Sequence, residues 1–147
     1  MPSQTSQQLM QELRIGNLLT EFCWLIDRER FEEAAHLYTE DAVIETPMFK
    51  VCGKKEIVEG LLAQRKNGDL VTRHSWENLR IEHLSEDKVR AYSNATTYSG
   101  QGEVPLKKTD IMVGAAEDLL VLVEGEWRFS HRKLNVLCRG QAVSNVE

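Results

Sequence analysis

The spacing of apolar residues in the first half of the chain predicts three helices. Over residues 6–27, leucines and other apolar residues return every three or four positions, which is typical of a long amphipathic helix. A shorter stripe with the same spacing predicts a second helix over 30–38. A third helix is expected to follow Gly53 and to stop at Asn67 and Gly68, because this pair commonly ends helices.

Beyond Gly68 the hydrophobic period changes from helical spacing to alternation. The alternation predicts four long strands near 72–84, 88–99, 111–124 and 126–138, separated by short turn signals. A β-branched run at 42–46, cut by Pro47, predicts one earlier short strand. Helices followed by a strand meander indicate an α+β domain in which an antiparallel sheet is segregated from the helices. We expect one domain over 1–147, with 139–147 as a frayed tail.

Charge and cysteine content exclude several classes of function. The formal net charge is -5 and no basic run is present, so we expect no nucleic-acid partner. The N-terminus lacks a signal-peptide pattern and the apolar runs are too short to span a bilayer, so we expect no membrane association. Three widely spaced cysteines without metal-ligand spacing predict a reduced, cytoplasmic protein that binds no metal.

Three segments carry a resemblance to a known family. They are LIDRERFEEAAHLYTEDAVIE, RHSWENLRIE and VGAAEDLLVLVEGEWRFSHRKL, and together they span most of the chain. Their content and order resemble the SnoaL-like branch of the nuclear transport factor 2 (NTF2-like) superfamily, close to the scytalone and bile-acid dehydratases. The resemblance implies a bent, cone-shaped antiparallel sheet around a deep apolar pocket, closed by the N-terminal helices. It also implies relatives as varied as isomerases, polyketide cyclases and dioxygenase small subunits, so chemistry has to be argued from the site.

Asp27 and His74 are the candidate catalytic residues. Asp27 ends the first predicted helix, where the resemblance places a catalytic aspartate, and His74 matches the histidine of the R-H-x-x-x-N segment. A carboxyl group beside an imidazole can move protons near neutral pH without a cofactor. The structural alternatives are a solvated acid at a helix end and a histidine whose hydrogen bonds are satisfied within the sheet.

Neighbouring positions suggest a binding wall beside His74. Trp76 and Asn78 share its strand parity and should face the same side, where they could contact a substrate. Core packing is an equally good interpretation of Trp76. Leu79 and Ile81 have the opposite parity, so either both sheet faces are buried or a bulge shifts the register.

The remaining candidate binding residues lie on other elements. Asp118 and Arg132 match the acid and the arginine of the closing hairpin, and a purely structural ion pair is the alternative. Tyr98 could offer a phenol to the pocket. Phe22 stands five residues before Asp27, where the bile-acid dehydratase pattern has a tyrosine, so a hydroxyl group that could polarise a carbonyl is missing.

These observations favour a cofactor-independent lyase or isomerase acting on a small, cyclic, mostly apolar substrate. The alternatives are a non-catalytic small-molecule binder and an assembly subunit like that of the ring-hydroxylating dioxygenases. A pocket in which Asp27 and His74 are in hydrogen-bond contact favours the enzyme, and a pocket without that contact favours the binder. A filled pocket together with an apolar outer face of the sheet favours the assembly subunit. Apolar strands such as LLVLV predict a homo-oligomer, expected to be a dimer.

Overall fold

A computed structural model describes residues 4–65 and 68–144, and these contain three helices and six strands. In chain order the elements are α1 (Ser6–Asp27), α2 (Phe31–Ala35), β1 (Tyr38–Glu45), β2 (Lys50–Cys52), α3 (Gly53–Ala63), β3 (Leu70–Ser85), β4 (Lys88–Gln101), β5 (Lys108–Val123) and β6 (Glu126–Val143). The predicted α+β class is confirmed. None of the helices in the described ranges is long and apolar enough to cross a membrane.

The six strands form one curved, unclosed sheet in the order β2-β1-β6-β5-β4-β3. All neighbouring pairs are antiparallel except β1 and β6, which run parallel. This parallel pair departs from the predicted all-antiparallel sheet. It is possible because most of the chain separates the two strands, so no tight hairpin dictates their relative direction.

The long first helix forms where the pattern predicts it. Thr5 and Gln8 make a reciprocal capping box at its N-terminus, which satisfies two backbone donors that the helix leaves free. Its buried residues include Ile15 and Leu19, which pack on the sheet together with Leu120 and Phe129. This packing defines the inner face of the sheet, the side that carries Leu120 and Phe129 and contacts α1.

Three element boundaries differ from the prediction. The second helix ends at Ala35, and Tyr38 instead begins β1, where it pairs with Phe129. The last strand does not fray at 139 but continues to Val143, because β5 begins early, at Lys108, and offers backbone partners to it. The third helix ends at Ala63, before the predicted stop at Asn67 and Gly68. Asn67 itself and the last residues of the predicted tail, 145–147, lie outside the described residues.

A bulge in β3 resolves the parity question. The pairing between β3 and β4 shifts between Glu77 and Arg80, and Asn78 has a left-handed backbone with φ of 53°. The extra residue reverses the alternation, so that Leu79 and Ile81 join His74 on the inner face. Their apolar side chains can therefore be buried without burying both faces of the sheet.

Candidate functional site

The end of α1 lies against the exposed edge of β3. The helix stops at Asp27 because Glu29 adopts a left-handed conformation with φ of 57° and its N–H bonds back to the carbonyl of Ile26. As an edge strand, β3 has backbone N–H groups that no neighbouring strand pairs. One of them, the N–H of His74, donates to Asp27 Oδ2 at 2.9 Å.

The side chains of Asp27 and His74 are also in direct contact. His74 Nδ1 lies 2.6 Å from Asp27 Oδ1, and the Thr72 hydroxyl donates to the same oxygen at 3.0 Å. The Asp27 side chain is only 5% exposed, whereas that of His74 is 25% exposed. Within residues 4–65 and 68–144 no hydrogen bond reaches His74 Nε2. The two side chains are close together as predicted, and one ring nitrogen of His74 is left open. Neither residue lines the cavity described below, so that they share one cavity stays a prediction.

Strand register shows what stands beside His74. On adjacent strands its partners are Thr97, then Met112, then Arg139, and residues paired in this way project from the same face. A cavity of about 510 Å³ is lined in part by these three partners. Its other lining residues include Ser99, which pairs with Thr72 in the next row. The cavity therefore begins one strand away from His74, on the inner face.

Trp76 joins β3 to α1. Its indole Nε1 donates to Thr20 Oγ1 at 3.0 Å, and its ring packs where Gly16 leaves α1 without a side chain, so that an added Cβ would lie 3.6 Å from Trp76 Cη2. These contacts hold the helix over the strand close to the Asp27–His74 pair. The structure thus places Trp76 in packing between the two elements.

Asp118 and Arg132 form a buried, two-pronged ion pair on the inner face. Arg132 Nε donates to Asp118 Oδ1 at 2.8 Å, and its terminal nitrogen donates to Oδ2 at 3.1 Å. The guanidinium also lies over the rings of Phe22 and Phe129, at 4.5 and 4.1 Å from their centroids. Burial alone lowers the pKa of Arg132, but the Asp118 carboxylate and the Tyr38 phenol outweigh it and raise that pKa.

Two further titratable side chains, Tyr38 and Cys23, interact electrostatically with Arg132. Tyr38 is fully buried, and burial raises the pKa of its phenol although the nearby Arg132 opposes the shift. Among the described residues its hydroxyl has no hydrogen-bond partner of ordinary geometry. Burial also raises the pKa of the Cys23 thiol to about 11, with Arg132 opposing and Asp27 adding to the shift. Cys23 therefore lies within electrostatic reach of both Asp27 and Arg132.

Two of the predicted binding residues do not reach the site. Asn78 is exposed at the bulge of β3, because the extra residue there turns its side chain away from the face that carries His74. Tyr98 is 45% exposed and follows Thr97, so strand alternation places it on the outer face. Neither side chain can line a site on the inner face.

Sequence reasoning also missed two residues beside Asp27. Thr72 contacts the carboxylate directly, and Arg65, after the end of α3, donates to the Thr72 hydroxyl at 3.1 Å. Thr72 shares strand parity with His74, a signal that could have identified it. Arg65 lies in a polar segment with no periodicity, and only the folded path of the chain brings it to this place.

No group of three or more metal-binding side chains comes together within the described ranges. The three cysteines are free thiols, Cys23 partly buried and Cys52 and Cys138 exposed. In the described residues, Asp27 is surrounded by hydrogen bonds to protein groups, and Nε2 of His74 remains without a partner.

Comparisons with known proteins identify the family. The family model described as a SnoaL-like domain matches residues 7–133. A candidate scytalone dehydratase from Novosphingobium aromaticivorans DSM 12444 is similar in structure, with a TM-score of 0.82 and 22% identity, over 98% of this chain and 94% of that chain. A type 2 hexachlorocyclohexane dehydrochlorinase, LinA, has a TM-score of 0.81 and 16% identity, over 96% and 94% of the two chains.

A protein of unknown function from Mycobacterium tuberculosis has a TM-score of 0.78 and 24% identity, over 88% of this chain and 73% of that chain. None of the curated proteins compared with the chain matches it. Identities this low show a shared fold and do not assign a reaction. Because the family model covers most of the sequence, the chain belongs to the SnoaL-like family and has its NTF2-like fold.

Proposed function

We propose that this protein is a cofactor-independent lyase or isomerase that removes a proton next to a carbonyl group of a small, cyclic, mostly apolar substrate. The observation that carries the proposal is the 2.6 Å contact between His74 Nδ1 and the buried Asp27 carboxylate. A carboxylate in this position orients the imidazole and stabilises its protonated form. Contact between the two side chains is one of the two conditions that favour an enzyme over a simple binder; the other, a pocket around the pair, stays a prediction.

His74 is the proposed general base. With its Nδ1–H donated to Asp27, the lone pair of the neutral ring lies on Nε2, the nitrogen that no described residue contacts. A general base has to reach the proton that it removes, and Nε2 is on the more exposed of the two side chains. Asp27 remains an anion throughout and serves as the orienting group.

The proposed elimination balances without an added cofactor. Nε2 takes the proton from the carbon next to the carbonyl, and the electrons of that C–H bond form a carbon–carbon double bond. The bond from the neighbouring carbon to its hydroxyl group breaks, and the departing oxygen receives the proton from the imidazolium and leaves as water. In an isomerisation the same imidazolium returns the proton to a different carbon.

The cavity beside His74 is the proposed binding place of the substrate. It is a depression of about 510 Å³ that is open to solvent, and the polar side chains of Asp110 and Arg139 line it beside Met112. Neighbouring strands are about 4.8 Å apart, so Thr97 stands about 5 Å and Met112 about 10 Å from His74 along the row. A ring held against Thr97 and Met112 would therefore have one edge near Nε2.

The structurally similar proteins that carry a reaction name support an elimination. Dehydratases and dehydrochlorinases both remove a small group and form a double bond, and a protein with each of these names shares the fold of this chain. This chain has Phe22 where the bile-acid dehydratase pattern has a tyrosine, and the Phe22 ring packs against Arg132. The proposal therefore rests on proton removal by the Asp27–His74 pair and needs no tyrosine.

The test is a panel of cyclic β-hydroxy ketones incubated with the protein and followed by mass spectrometry for loss of water and by NMR for double-bond shifts. We expect His74→Gln and Asp27→Asn each to lower the rate by about 10²–10⁴-fold while the protein stays folded. His83→Gln is the matched control, because His83 also pairs with an acid, Glu12 at 3.2 Å, at a different place on the inner face. Equal turnover by His74→Gln and the natural protein would refute the proposed role.

A further inference from the structure

We propose that Arg65 and Thr72 are positioning residues that hold the Asp27 carboxylate as a hydrogen-bond acceptor and thereby keep the mobile proton on His74 Nδ1. This inference rests on the proposed function for its consequence in catalysis. The assignment of donors and acceptors along the chain of hydrogen bonds depends only on the observed contacts and does not depend on the proposed function.

Arg65 has the position and burial needed for such a role. Its side chain is 9% exposed, and one terminal nitrogen donates both to Thr72 Oγ1 at 3.1 Å and to the carbonyl of Ile26 at 3.5 Å. The guanidinium carbon lies 5.7 Å from the centroid of Phe31, and Nε is 3.6 Å from Glu29 Oε1. Arg65 thus joins the end of α1 to the start of β3, the two elements that supply Asp27 and His74.

The chemistry of the two donors gives the chain a direction. A guanidinium has donors and no acceptor, so the Thr72 oxygen must accept from Arg65. The hydroxyl has a single proton, which is then directed at Asp27 Oδ1, 3.0 Å away. The main-chain N–H of His74 donates to the other carboxylate oxygen. Asp27 therefore accepts hydrogen bonds from two groups, the Thr72 hydroxyl and the His74 N–H, and in this arrangement neither group can accept one from it.

This direction decides the tautomer of His74. In the other neutral tautomer the ring proton sits on Nε2, and the lone pair of Nδ1 then faces a lone pair of Asp27 Oδ1 at 2.6 Å unless the carboxylate takes up a further proton. A carboxyl oxygen that carries a proton is a poor acceptor for the Thr72 hydroxyl, so the donation from Thr72 opposes that uptake. Keeping the proton on Nδ1 lets Oδ1 accept from both Thr72 and His74. The lone pair is consequently fixed on Nε2, which is the form that a general base requires.

The experiment measures the tautomer itself and does not depend on finding a substrate. Histidine labelled with ¹⁵N in the side chain distinguishes a protonated ring nitrogen from an unprotonated one, and a His74→Gln variant identifies which signals belong to His74. In the natural protein, at a pH where the ring is neutral, we expect a protonated Nδ1 and an unprotonated Nε2. In Thr72→Val, which keeps the shape but removes the hydroxyl, we expect a mixture with the Nε2–H form increased.

Arg65→Met provides an independent test, because it frees the Thr72 hydroxyl to turn away, and a smaller shift in the same direction is expected. Thr72→Ser keeps the hydroxyl and should restore most of the natural tautomer ratio. Two controls remove similar groups elsewhere: Thr96→Val, a buried threonine on the outer face, and Arg80→Met, an exposed arginine on β3. Both should leave the His74 signals unchanged.

With a substrate in hand, Thr72→Val should lower kcat by about 10- to 100-fold with little change in KM, since it removes a hydrogen bond to a charged group that does not touch substrate. The inference is overturned if folded Thr72→Val and Arg65→Met both retain the natural tautomer. Loss of the tautomer in a protein that turns over no substrate would support the hydrogen-bond chain and count against the proposed function instead. If Thr72→Val fails to fold, Arg65→Met decides: a natural tautomer ratio in folded Arg65→Met then overturns the inference.

Discussion

Removing the Asp118 carboxylate while Arg132 stays in place should destabilise the fold strongly. Asp118 is fully buried and makes two hydrogen bonds to a guanidinium whose side chain is only 15% exposed. An arginine left in such a place keeps its charge and loses the only carboxylate that it contacts within the described residues. Breaking a buried pair in this way costs about 3–5 kcal/mol, a large part of the stability of an ordinary domain.

Urea denaturation of one single and one double variant separates this cost from ordinary packing effects. We expect Asp118→Asn to lower the free energy of unfolding by about 3–5 kcal/mol, which for a chain of this size lowers Tm by roughly 10 °C. The double variant Asp118→Leu with Arg132→Met should cost less than about 2 kcal/mol, because it buries apolar groups of similar volume and leaves no unpaired charge. A loss below about 1 kcal/mol for Asp118→Asn, as for a surface ion pair, would refute the burial argument.

Three other predictions follow from burial and exposure. Iodoacetamide at pH 9 should modify Cys52 and Cys138 rapidly and Cys23 slowly, because Cys23 is partly buried and its pKa is raised from 9.0 to about 11. Fast labelling of all three thiols would contradict this. The raised pKa also means that the contribution of Cys23 to stability falls as pH rises from about 9 to 11. Gly114→Ala should lower the free energy of unfolding by about 1–3 kcal/mol in urea denaturation, because its Cβ would lie 3.0 Å from the backbone oxygen of Asn135, which cannot move aside as easily as the neighbouring Leu134 side chain. An unchanged midpoint would count against this close approach of β5 and β6. Light scattering at micromolar concentration should give the mass of a dimer, since the outer face of β5 is apolar, and a monomer would oppose that expectation.

Most of the fold is readable from the sequence because period and turn signals are local. The helix over 6–27 and the turns between the four long strands depend on neighbours within a few residues, and the structure reproduces them. The lengths of the strands are harder to predict from the sequence. The polar end of β6 is held by backbone pairing with β5, and the pattern of its side chains does not indicate that pairing.

The site is only partly readable for a related reason. Asp27 and His74 belong to patterned segments, so they could be named in advance. Strand parity failed at Asn78, where one bulged residue reverses every side chain beyond it, and it was not decisive for Tyr98. Arg65 contacts Thr72 only because the end of α3 comes back to the edge of β3, and that is a property of the three-dimensional path of the chain.

The central claim is that Nε2 of His74 removes a proton from carbon while Asp27 holds the ring. The most direct measurement is solvent exchange: a cyclic β-hydroxy ketone that the protein converts is incubated in D₂O, and deuterium at the carbon next to the carbonyl, in remaining substrate and in product, is followed by NMR. We expect the natural protein to incorporate deuterium or lose the carbon-bound proton at that position, and His74→Gln to be slower by about 10²–10⁴-fold while His83→Gln matches the natural rate. Proton loss at an unchanged rate in folded His74→Gln would contradict the claim.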